Sequence, residues 1–332
     1  MVRILVMSLG WLMLNMLPVA AAPIACGGVD MLATLREEDA AKYRELVEKA
    51  GAVPNGRGRL WRIEVPGARP SYLFGTIHFT DERVHAFPQS VIAALDEAKV
   101  GAVESLAVLD DPMDPAVLER AGANPMLPDG QTLDDVLDES DRSLLKSAMA
   151  RRLLSYEVHK IQKPWVVSQL LSYPPCELGS LVLGNPIVDK RVAETIRLEG
   201  KTLLGLETAE EQFASLDGMP IKTQIALLRM SAQLSPRIDD IHETFLNLYR
   251  ASDIGMIDAL SVHLAGPDLD PAVYRDFMDH LLVRRNVRMH ERALPQVKKG
   301  GIFIAVGALH LPGKEGLVAM FRRDGYTVTL VE

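Results

Sequence analysis

The chain has 332 residues, of which 48% are hydrophobic, and it carries a net charge of −8. This hydrophobic fraction is enough for a substantial buried core and excludes an intrinsically disordered chain. The negative charge argues against nucleic acid or an anionic membrane surface as the main partner.

The first 22 residues have the three parts of a secretory signal peptide. Arg3 gives the basic start, an apolar run extends from Ile4 to Met16, and Ala20–Ala22 forms an A-x-A cleavage site. The apolar run is too short to favour a retained transmembrane helix, and no later stretch is apolar enough to span a bilayer. We therefore expect an exported protein, periplasmic or secreted, whose mature chain comprises residues 23–332.

Two cysteines, Cys26 and Cys176, remain after this cleavage. In an oxidising compartment an isolated pair often forms a disulfide, and two separate thiols are the alternative. Two cysteines at this spacing do not make a zinc ribbon. A lipoprotein signal is a further alternative because Cys26 follows Ala25, although Pro23 stands where that signal has leucine.

The mature chain begins with a short helix and a predicted β-hairpin. Residues 36–51 have the periodicity of an amphipathic helix. The apolar runs Leu60–Val65 and Tyr72–Phe74 are typical of strands, and the turn sequence Pro66–Pro70 separates them. This order of a strand, a turn and a strand predicts the hairpin.

Short strands then alternate with helices along the rest of the chain. These elements are a helix opened by Pro88, a strand Val100–Val103, a helix Pro186–Leu198, strands Thr202–Leu206 and Ile302–Val306, a helix Leu317–Arg322 and a strand Tyr326–Val331. Residues 110–180 and 209–295 show helical periodicity instead, and we interpret them as insertions. The expected fold is α/β, a single domain with a mixed sheet, helices around it and a helical lobe formed by the insertions.

One pattern, an apolar strand followed by Gly-x-x-His, occurs twice. It places Gly75 and His78 after the second strand, and Gly307 and His310 after a strand near the other end of the chain. We expect each glycine to let the backbone turn tightly as it leaves the sheet. Because ligands of open α/β sheets bind at the carboxyl ends of strands, the two histidines are candidates for a shared metal or substrate site.

Two further strands end in an acid, Glu104 and Glu207. If the sheet is parallel at these strands, both acids lie at the same edge as the histidines. Two histidines and two glutamates can provide ligands for a divalent ion together with a general base. Each signal alone is weak, since a histidine after a buried strand is often structural and a glutamate at a strand end is often solvated.

Several segments together resemble the TraB/GumN family, which is related to the Tiki proteins. They are LFGTIH, AVES, GNPIVDK, LLGLETAEEQ, RRNVRMHER and IAVGALHLPGKEGL, followed by GYTV. The resemblance covers nearly the whole mature chain, and its closing part is the most specific. It implies a divalent-metal-dependent peptidase that uses the two Gly-x-x-His motifs.

The resemblance also assigns roles to residues of this chain. It implies that His78 and His310 bind the metal, and it adds Glu104, Asp189, Glu207, Arg285 and Asn286 as site residues. Arg285 and Asn286 would hold the substrate, or else lie on a helix surface. Asp189 would either favour a helix start or orient a histidine. Thr76 replaces the serine of many relatives, which is a mild departure.

We therefore expect an extracytoplasmic hydrolase that depends on a divalent ion (Mn, Co or Zn) and acts on a peptide or another carbonyl substrate. One alternative is a haem-binding or metal-binding protein without enzyme activity. Another is a metal-free, esterase-like hydrolase with a histidine as general base. His85 is a weaker candidate for a third ligand. A zincin helix is excluded because Leu246 stands where H-E-x-x-H needs its second histidine.

Overall fold

A computed structural model of the chain describes residues 26–110, 122, 124–266 and 269–332. The predicted signal peptide, residues 1–22, and residues 111–121 of the first predicted insertion lie outside this part. None of the helices in the described ranges combines the length and the apolar content that crossing a bilayer requires. The division into a signal peptide and one mature domain stays a prediction.

The described strands form one six-stranded sheet. They are β1 (Leu60–Glu64), β2 (Ser71–Thr76), β3 (Val100–Ser105), β4 (Thr202–Glu207), β5 (Ile302–Gly307) and β6 (Thr327–Leu330). Their order across the sheet is β4-β3-β5-β2-β1-β6. All six strands expected from the sequence are present, and β1 and β2 form the predicted antiparallel hairpin.

The four strands β4, β3, β5 and β2 run parallel to one another. Thr76 at the end of β2 pairs with Gly307 at the end of β5, and Ser105 of β3 pairs with Glu207 of β4. The carboxyl ends of these strands therefore meet at one edge of the sheet, although β2 and β5 come from opposite ends of the chain. This confirms that the sheet is parallel where the sequence interpretation required it.

Helices surround this sheet and extend away from it. In chain order they are α1 (Met31–Glu38), α2 (Ala40–Ala52), α3 (Glu82–His85), α4 (Gln89–Glu97), α5 (Leu133–Val136), α6 (Glu139–Ala150), α7 (Tyr156–His159), α8 (Pro164–Ser172), α9 (Pro175–Val182), α10 (Val188–Leu198), α11 (Ala209–Asp217), α12 (Ile221–Leu234), α13 (Ile238–Arg250), α14 (Ile254–Ala265), α15 (Pro271–Met278), α16 (Arg284–Lys299) and α17 (Leu317–Arg323).

The central strands are apolar on both faces, as strands covered on both sides must be. Successive side chains of a strand point to opposite faces, so Phe74 and Phe303 join the core under α4, α10 and α14. Leu73 and Ile304 join a second core under α16 and α17. This double burial holds the ends of β2 and β5 in place beneath the candidate site.

A separate apolar cluster forms the helical lobe. It joins Leu145 and Met149 of α6 and Leu171 of α8, which precede β4, to Leu228 of α12, which follows β4. Segments from the two sides of β4 thus pack against each other away from the sheet. The structure therefore confirms the α/β fold class with a helical lobe.

The helix expected over residues 36–51 is in fact two helices, α1 and α2. Asp39 separates them, and its carboxylate accepts a hydrogen bond from the backbone N–H of Lys42, which caps the start of α2. A side-chain cap of this kind satisfies one of the N–H groups that have no partner at a helix start. The periodicity alone did not reveal this interruption.

The predicted disulfide is present between Cys26 and Cys176, whose Cα atoms are 5.3 Å apart. It fixes the segment before α1 to α9, across a sequence separation of 150 residues. In the chain-entropy model, closing a loop of this length stabilises the folded state by about 5 kcal/mol.

Candidate functional site

The two Gly-x-x-His motifs meet at the carboxyl edge of the sheet. His78 follows the end of β2, and His310 closes a short 3₁₀ turn, Ala308–His310, directly after β5. The space above Gly307 shows how near they are. An added Cβ at Gly307 would lie 3.1 Å from Oε1 of Glu104, 3.5 Å from Cδ2 of His310 and 4.0 Å from Nε2 of His78. Two imidazoles and one carboxylate therefore surround a single glycine.

The expected reason for the motif glycines is wrong. Neither Gly75 nor Gly307 has a positive φ, so neither backbone conformation requires glycine. What they provide is space: a Cβ on Gly75 would lie only 2.9 Å from Cα of Ala308. Glycine at these positions lets the second motif pack against the first and leaves room for Glu104 beside the histidines.

His78 is held by Asp189, which lies in the first turn of α10. Nδ1 of His78 is 2.8 Å from Oδ2 of Asp189, and the hydroxyl of Thr76 donates to Oδ1 of the same carboxylate at 2.6 Å. The Asp189 carboxylate raises the pKa of His78 to about 9. With Nδ1–H donated to Asp189, Nε2 of His78 is the nitrogen that can bind a ligand. In the metal-free protein at pH 7 this nitrogen carries a proton, which a metal ion must displace. The side chain of His78 is 48% exposed.

His310 is held in a similar way by an amide. Nδ1 of His310 is 2.6 Å from Oδ1 of Asn286, and Nδ2 of Asn286 donates to the backbone carbonyl of Glu315 at 2.7 Å. Because the carbonyl of Glu315 can only accept, the oxygen of Asn286 must face the imidazole, and Nδ1 of His310 carries the proton. Burial lowers the pKa of His310 to about 4, so the ring is neutral at pH 7.

Glu104, the acid at the end of β3, lies between the two histidines. Its Oε1 is 3.6 Å from Nε2 of His310 and accepts the backbone N–H of Gly307 at 2.6 Å. Its Oε2 accepts hydrogen bonds from Arg285 at 2.6 Å and from Gln212 at 3.3 Å. Burial alone would raise the pKa of Glu104, but His310, Arg285 and the other neighbouring groups lower it below its usual range. Glu104 is therefore an ionised carboxylate.

Glu207, the acid at the end of β4, faces arginines. Its Oε2 accepts from Nε of Arg285 at 2.8 Å, and its Oε1 accepts from Nη1 of Arg288 at 2.7 Å. Arg285 thus bridges the carboxylates of Glu104 and Glu207, and all three side chains are buried. Both oxygens of Glu207 are engaged, and its negative charge is balanced.

Arg285 and Asn286 are neighbours at the start of α16. One π-helical turn, Asp279–Val283, precedes them. Such turns often occur at functional sites. Arg285 and Asn286 are both buried, so they do not lie on a solvated helix surface, which was the alternative. Their polar atoms contact Glu104, Glu207, His310 and the backbone.

Among the residues that the structure describes, two groups of side chains could hold a metal ion. In the first, one ligand atom from each of His78, Glu104 and Asp189 lies within 4.8 Å of the others. The second combines Cys26, Glu177 and His242. It is unsuitable because the sulfur of Cys26 is in the disulfide and offers no thiolate.

His310 is not in the first group, but the donor chemistry of His78, Glu104 and His310 together fits a divalent transition metal. Neutral imidazole nitrogens and carboxylate oxygens are ligands of Zn, Mn and Co. Each histidine has its Nδ1 proton held by a partner, Asp189 or Asn286, an arrangement that is common for metal-binding histidines. Oε1 of Glu104 and Nε2 of His310 are 3.6 Å apart, which two ligands of one ion can accommodate.

The sequence did not single out several supporting residues. They are Gln212, which donates to Glu104, Arg288, which binds Glu207, and the hydroxyl of Thr76, which donates to Asp189. Thr76 lies inside the first motif, and serine at this position would supply the same donor. Gln212 and Arg288 lie inside the segments LLGLETAEEQ and RRNVRMHER, but only the packing of α11 and α16 shows what they contact.

A cavity of about 280 Å³ opens beside His78. Apolar side chains form most of its wall, among them Phe79, Phe245 and Leu309. His78 therefore adjoins a space that can take an apolar part of a substrate.

Comparison with known proteins gives a consistent family assignment. A sequence model of the TraB/PrgY/gumN family matches residues 59–330 of this chain. No solved structure matches the chain.

Similar curated proteins include metalloproteases. Metalloprotease TIKI1 of Danio rerio is 27% identical over 315 residues, which cover 81% of this chain and 62% of that protein. Metalloprotease TIKI1 of Homo sapiens is 24% identical over 321 residues, covering 81% of this chain and 61% of the relative. The Uncharacterized protein YbaP of Escherichia coli (strain K12) is 25% identical over 270 residues, 78% of this chain and 90% of YbaP. The chain thus spans about three fifths of the length of the metalloproteases that it matches.

Proposed function

This chain belongs to the TraB/PrgY/gumN family, and from that premise we propose that it is a metal-dependent hydrolase of peptide bonds that works outside the cytoplasm. The observation that carries the proposal is the convergence of His78, His310 and Glu104 around Gly307. The similarity to proteins named as metalloproteases supports the same reaction class.

In this proposal His78, His310 and Glu104 would hold the divalent ion, with Nε2 of each imidazole and the carboxylate as the donor atoms. When bound, such an ion supplies Lewis acidity, which polarises a substrate carbonyl and lets water ionise near neutral pH. Asp189 and Asn286 fix the Nδ1–H tautomers and the ring orientations of the two histidines. They are positioning residues in this scheme.

Arg285 positions the carboxylate of Glu104. Arg285 donates to both Glu104 and Glu207, which fixes the carboxylate of Glu104 beside His310. This arrangement favours a positioning role for Arg285 and Asn286 over the substrate contact expected from the sequence. It also disfavours Glu207 as a general base, since arginines occupy both of its oxygens.

The disulfide between Cys26 and Cys176 supports the proposed location. Structural disulfides form and persist in oxidising compartments such as the periplasm and the extracellular space. The predicted signal peptide over residues 1–22 points the same way.

The geometry argues against haem as the ligand of the histidine pair. His310 is 3% exposed, and its Nε2 faces Glu104. A large planar macrocycle needs open space at the coordinating nitrogen, and Glu104 fills that space. No observation favours the metal-free esterase. Hydrolysis measured with and without a chelator distinguishes it from the metal-dependent enzyme.

The test is metal content and peptide hydrolysis of the purified mature protein. We expect about one equivalent of divalent metal in the native protein, and hydrolysis of a peptide library that stops with a chelator and returns with Mn²⁺, Co²⁺ or Zn²⁺. A variant carrying His78→Ala and His310→Ala should lose both.

His263→Ala is the matched control, since His263 is an exposed histidine on α14. It should keep both the metal and the activity. Equal metal in the double variant and the native protein would reject the ion site. Hydrolysis that survives chelation would select the metal-free alternative.

A further inference from the structure

A second cavity adjoins the one beside His78. It has a volume of about 250 Å³, and it shares five lining residues with the cavity of about 280 Å³ at the histidine. Among the shared residues are Ile238, Ile241 and Leu309. We call the cavity at His78 the outer cavity and its neighbour the inner cavity.

The inner cavity has an apolar wall with one charged residue. Leucine, isoleucine, methionine and phenylalanine side chains form most of the lining, and among the described residues that line it Asp258 alone is charged. The serines that share this lining have partners within the protein. Ser231 shares a hydrogen bond with Ser168, and Ser261 donates to the backbone carbonyl of Ile257. Asp258 therefore differs from these serines.

The carboxyl group of Asp258 has neither a hydrogen bond nor an ion pair within the part of the chain that the structure describes. Burial in this apolar setting raises its pKa. A carboxylate that is partly removed from water without a counter-ion is costly. A cationic ligand that reached it through the cavity would remove that cost.

We propose that the outer and inner cavities form a substrate subsite for a chain segment with an apolar body and an ammonium tip, which pairs with Asp258. A lysine side chain has this chemistry, since a four-carbon stem fits an apolar wall and its ammonium group carries the charge. The proposal rests on the proposed hydrolase, because it treats the site beside His78 as the place where the substrate reacts. Asp258 is then the specificity-determining residue.

The test measures binding without any need for hydrolysis. Octylammonium and 1-octanol have the same chain length and differ in charge at the tip, so isothermal titration calorimetry at pH 8 in the presence of a chelator compares them directly. We expect the mature protein to bind octylammonium at least tenfold more tightly than octanol. Asp258→Asn should bind octanol as before and lose the tenfold difference.

Two further variants control for indirect effects. Asp96→Asn removes an exposed acid on α4 and should keep the full preference for the ammonium probe. Leu234→Trp fills the inner cavity with a larger ring and should weaken both probes. The proposal is overturned if neither probe binds the native protein, or if Asp258→Asn keeps the native preference.

Peptide hydrolysis in the same preparation reports the proposed function separately. Specific binding of octylammonium without any hydrolysis would support the cavity assignment and reject the hydrolase. Hydrolysis that octylammonium does not inhibit at saturating concentration would reject these cavities as the substrate subsite, while the hydrolase would stand.

Discussion

Nδ1 of His310 lies 2.6 Å from the side-chain oxygen of Asn286, and the amide nitrogen of the same asparagine is anchored on the carbonyl of Glu315. This contact sets which nitrogen of His310 carries the proton. It leaves Nε2 with a lone pair directed toward Glu104, and it connects α16 to the turn after β5.

Asn286→Leu removes this anchor while keeping a side chain of similar volume. We expect metal affinity to fall tenfold to a hundredfold, because His310 loses the partner that fixes its tautomer. Asn286→Asp keeps an oxygen acceptor and should retain most of the affinity. Titration of the metal-free protein with Zn²⁺ by calorimetry measures both. Equal affinities for the native protein and Asn286→Leu would exclude the positioning role.

The pair of His78 and Asp189 predicts a pH dependence. Because Asp189 raises the pKa of His78 to about 9, the folded state binds a proton more tightly than the unfolded chain. The stabilising contribution is fully present below the ordinary histidine pKa of about 6.5 and is lost as the pH rises through about 9. In chelator-treated protein, NMR titration should show His78 with a raised pKa, and Asp189→Asn should return it toward the ordinary value. An ordinary pKa in the native protein would contradict the contact.

Arg285 is expected to be essential for stability. Arg285→Met leaves Glu104 and Glu207 buried without their shared counter-ion, and breaking a buried pair in this way typically costs about 3–5 kcal/mol. Urea denaturation of the metal-free protein measures the change. Arg284→Met is the matched control, since Arg284 pairs with Asp279 at the surface and should change stability by less than about 1 kcal/mol. Similar losses in the two variants would mean that the bridge has no special role.

The two motif glycines should respond differently to alanine. Gly307→Ala places a methyl group 3.1 Å from Oε1 of Glu104, so it should weaken metal binding with little loss of stability. Gly75→Ala brings its Cβ to 2.9 Å from Cα of Ala308, and this overpacking should destabilise the fold by about 1–3 kcal/mol. Thermal unfolding and metal titration separate the two effects.

Gly51→Ala is the control for both, since nothing lies within 4 Å of a Cβ added there on α2. Alanine at this position should be neutral or stabilising. If Gly307→Ala bound metal as the native protein does, the crowding of the site around this glycine would be refuted.

Removing the disulfide by Cys26→Ser with Cys176→Ser should destabilise the protein by about 2–5 kcal/mol, because the unfolded chain gains freedom over a long loop. The metal site itself should survive, since neither sulfur contacts the two histidines. Denaturation with and without a reducing agent gives the comparison. An unchanged midpoint in the double variant would show that the cross-link contributes nothing.

Much of the fold could be predicted because local patterns agree with the tertiary structure. The strands that carry Phe74 and Phe303 are continuous apolar runs, as strands covered on both faces require. The carboxyl ends of such strands meet at one edge of the sheet when the strands are parallel. For this reason the two histidines and Glu104 could be predicted to lie close together. The break between α1 and α2 at Asp39 was not predicted, because a helix cap depends on backbone geometry that periodicity does not encode.

The functions of individual side chains were harder to predict. The sequence and the resemblance suggested that Arg285 orients a substrate carboxylate or carbonyl. In the structure its partners are the buried acids of β3 and β4. Gln212 reaches Glu104 only through the packing of α11. Contacts of this kind join residues more than 70 positions apart, and no local pattern specifies them.

The proposed site places one divalent ion between the two motif histidines and Glu104. Anomalous X-ray diffraction from crystals grown with Co²⁺, recorded at the cobalt edge, measures this directly. We expect a single strong peak about 2.0–2.2 Å from Nε2 of both His78 and His310 and from the carboxylate of Glu104. A peak bound by other residues, or a cobalt-free site between the two histidines in crystals that contain cobalt elsewhere, would contradict the account.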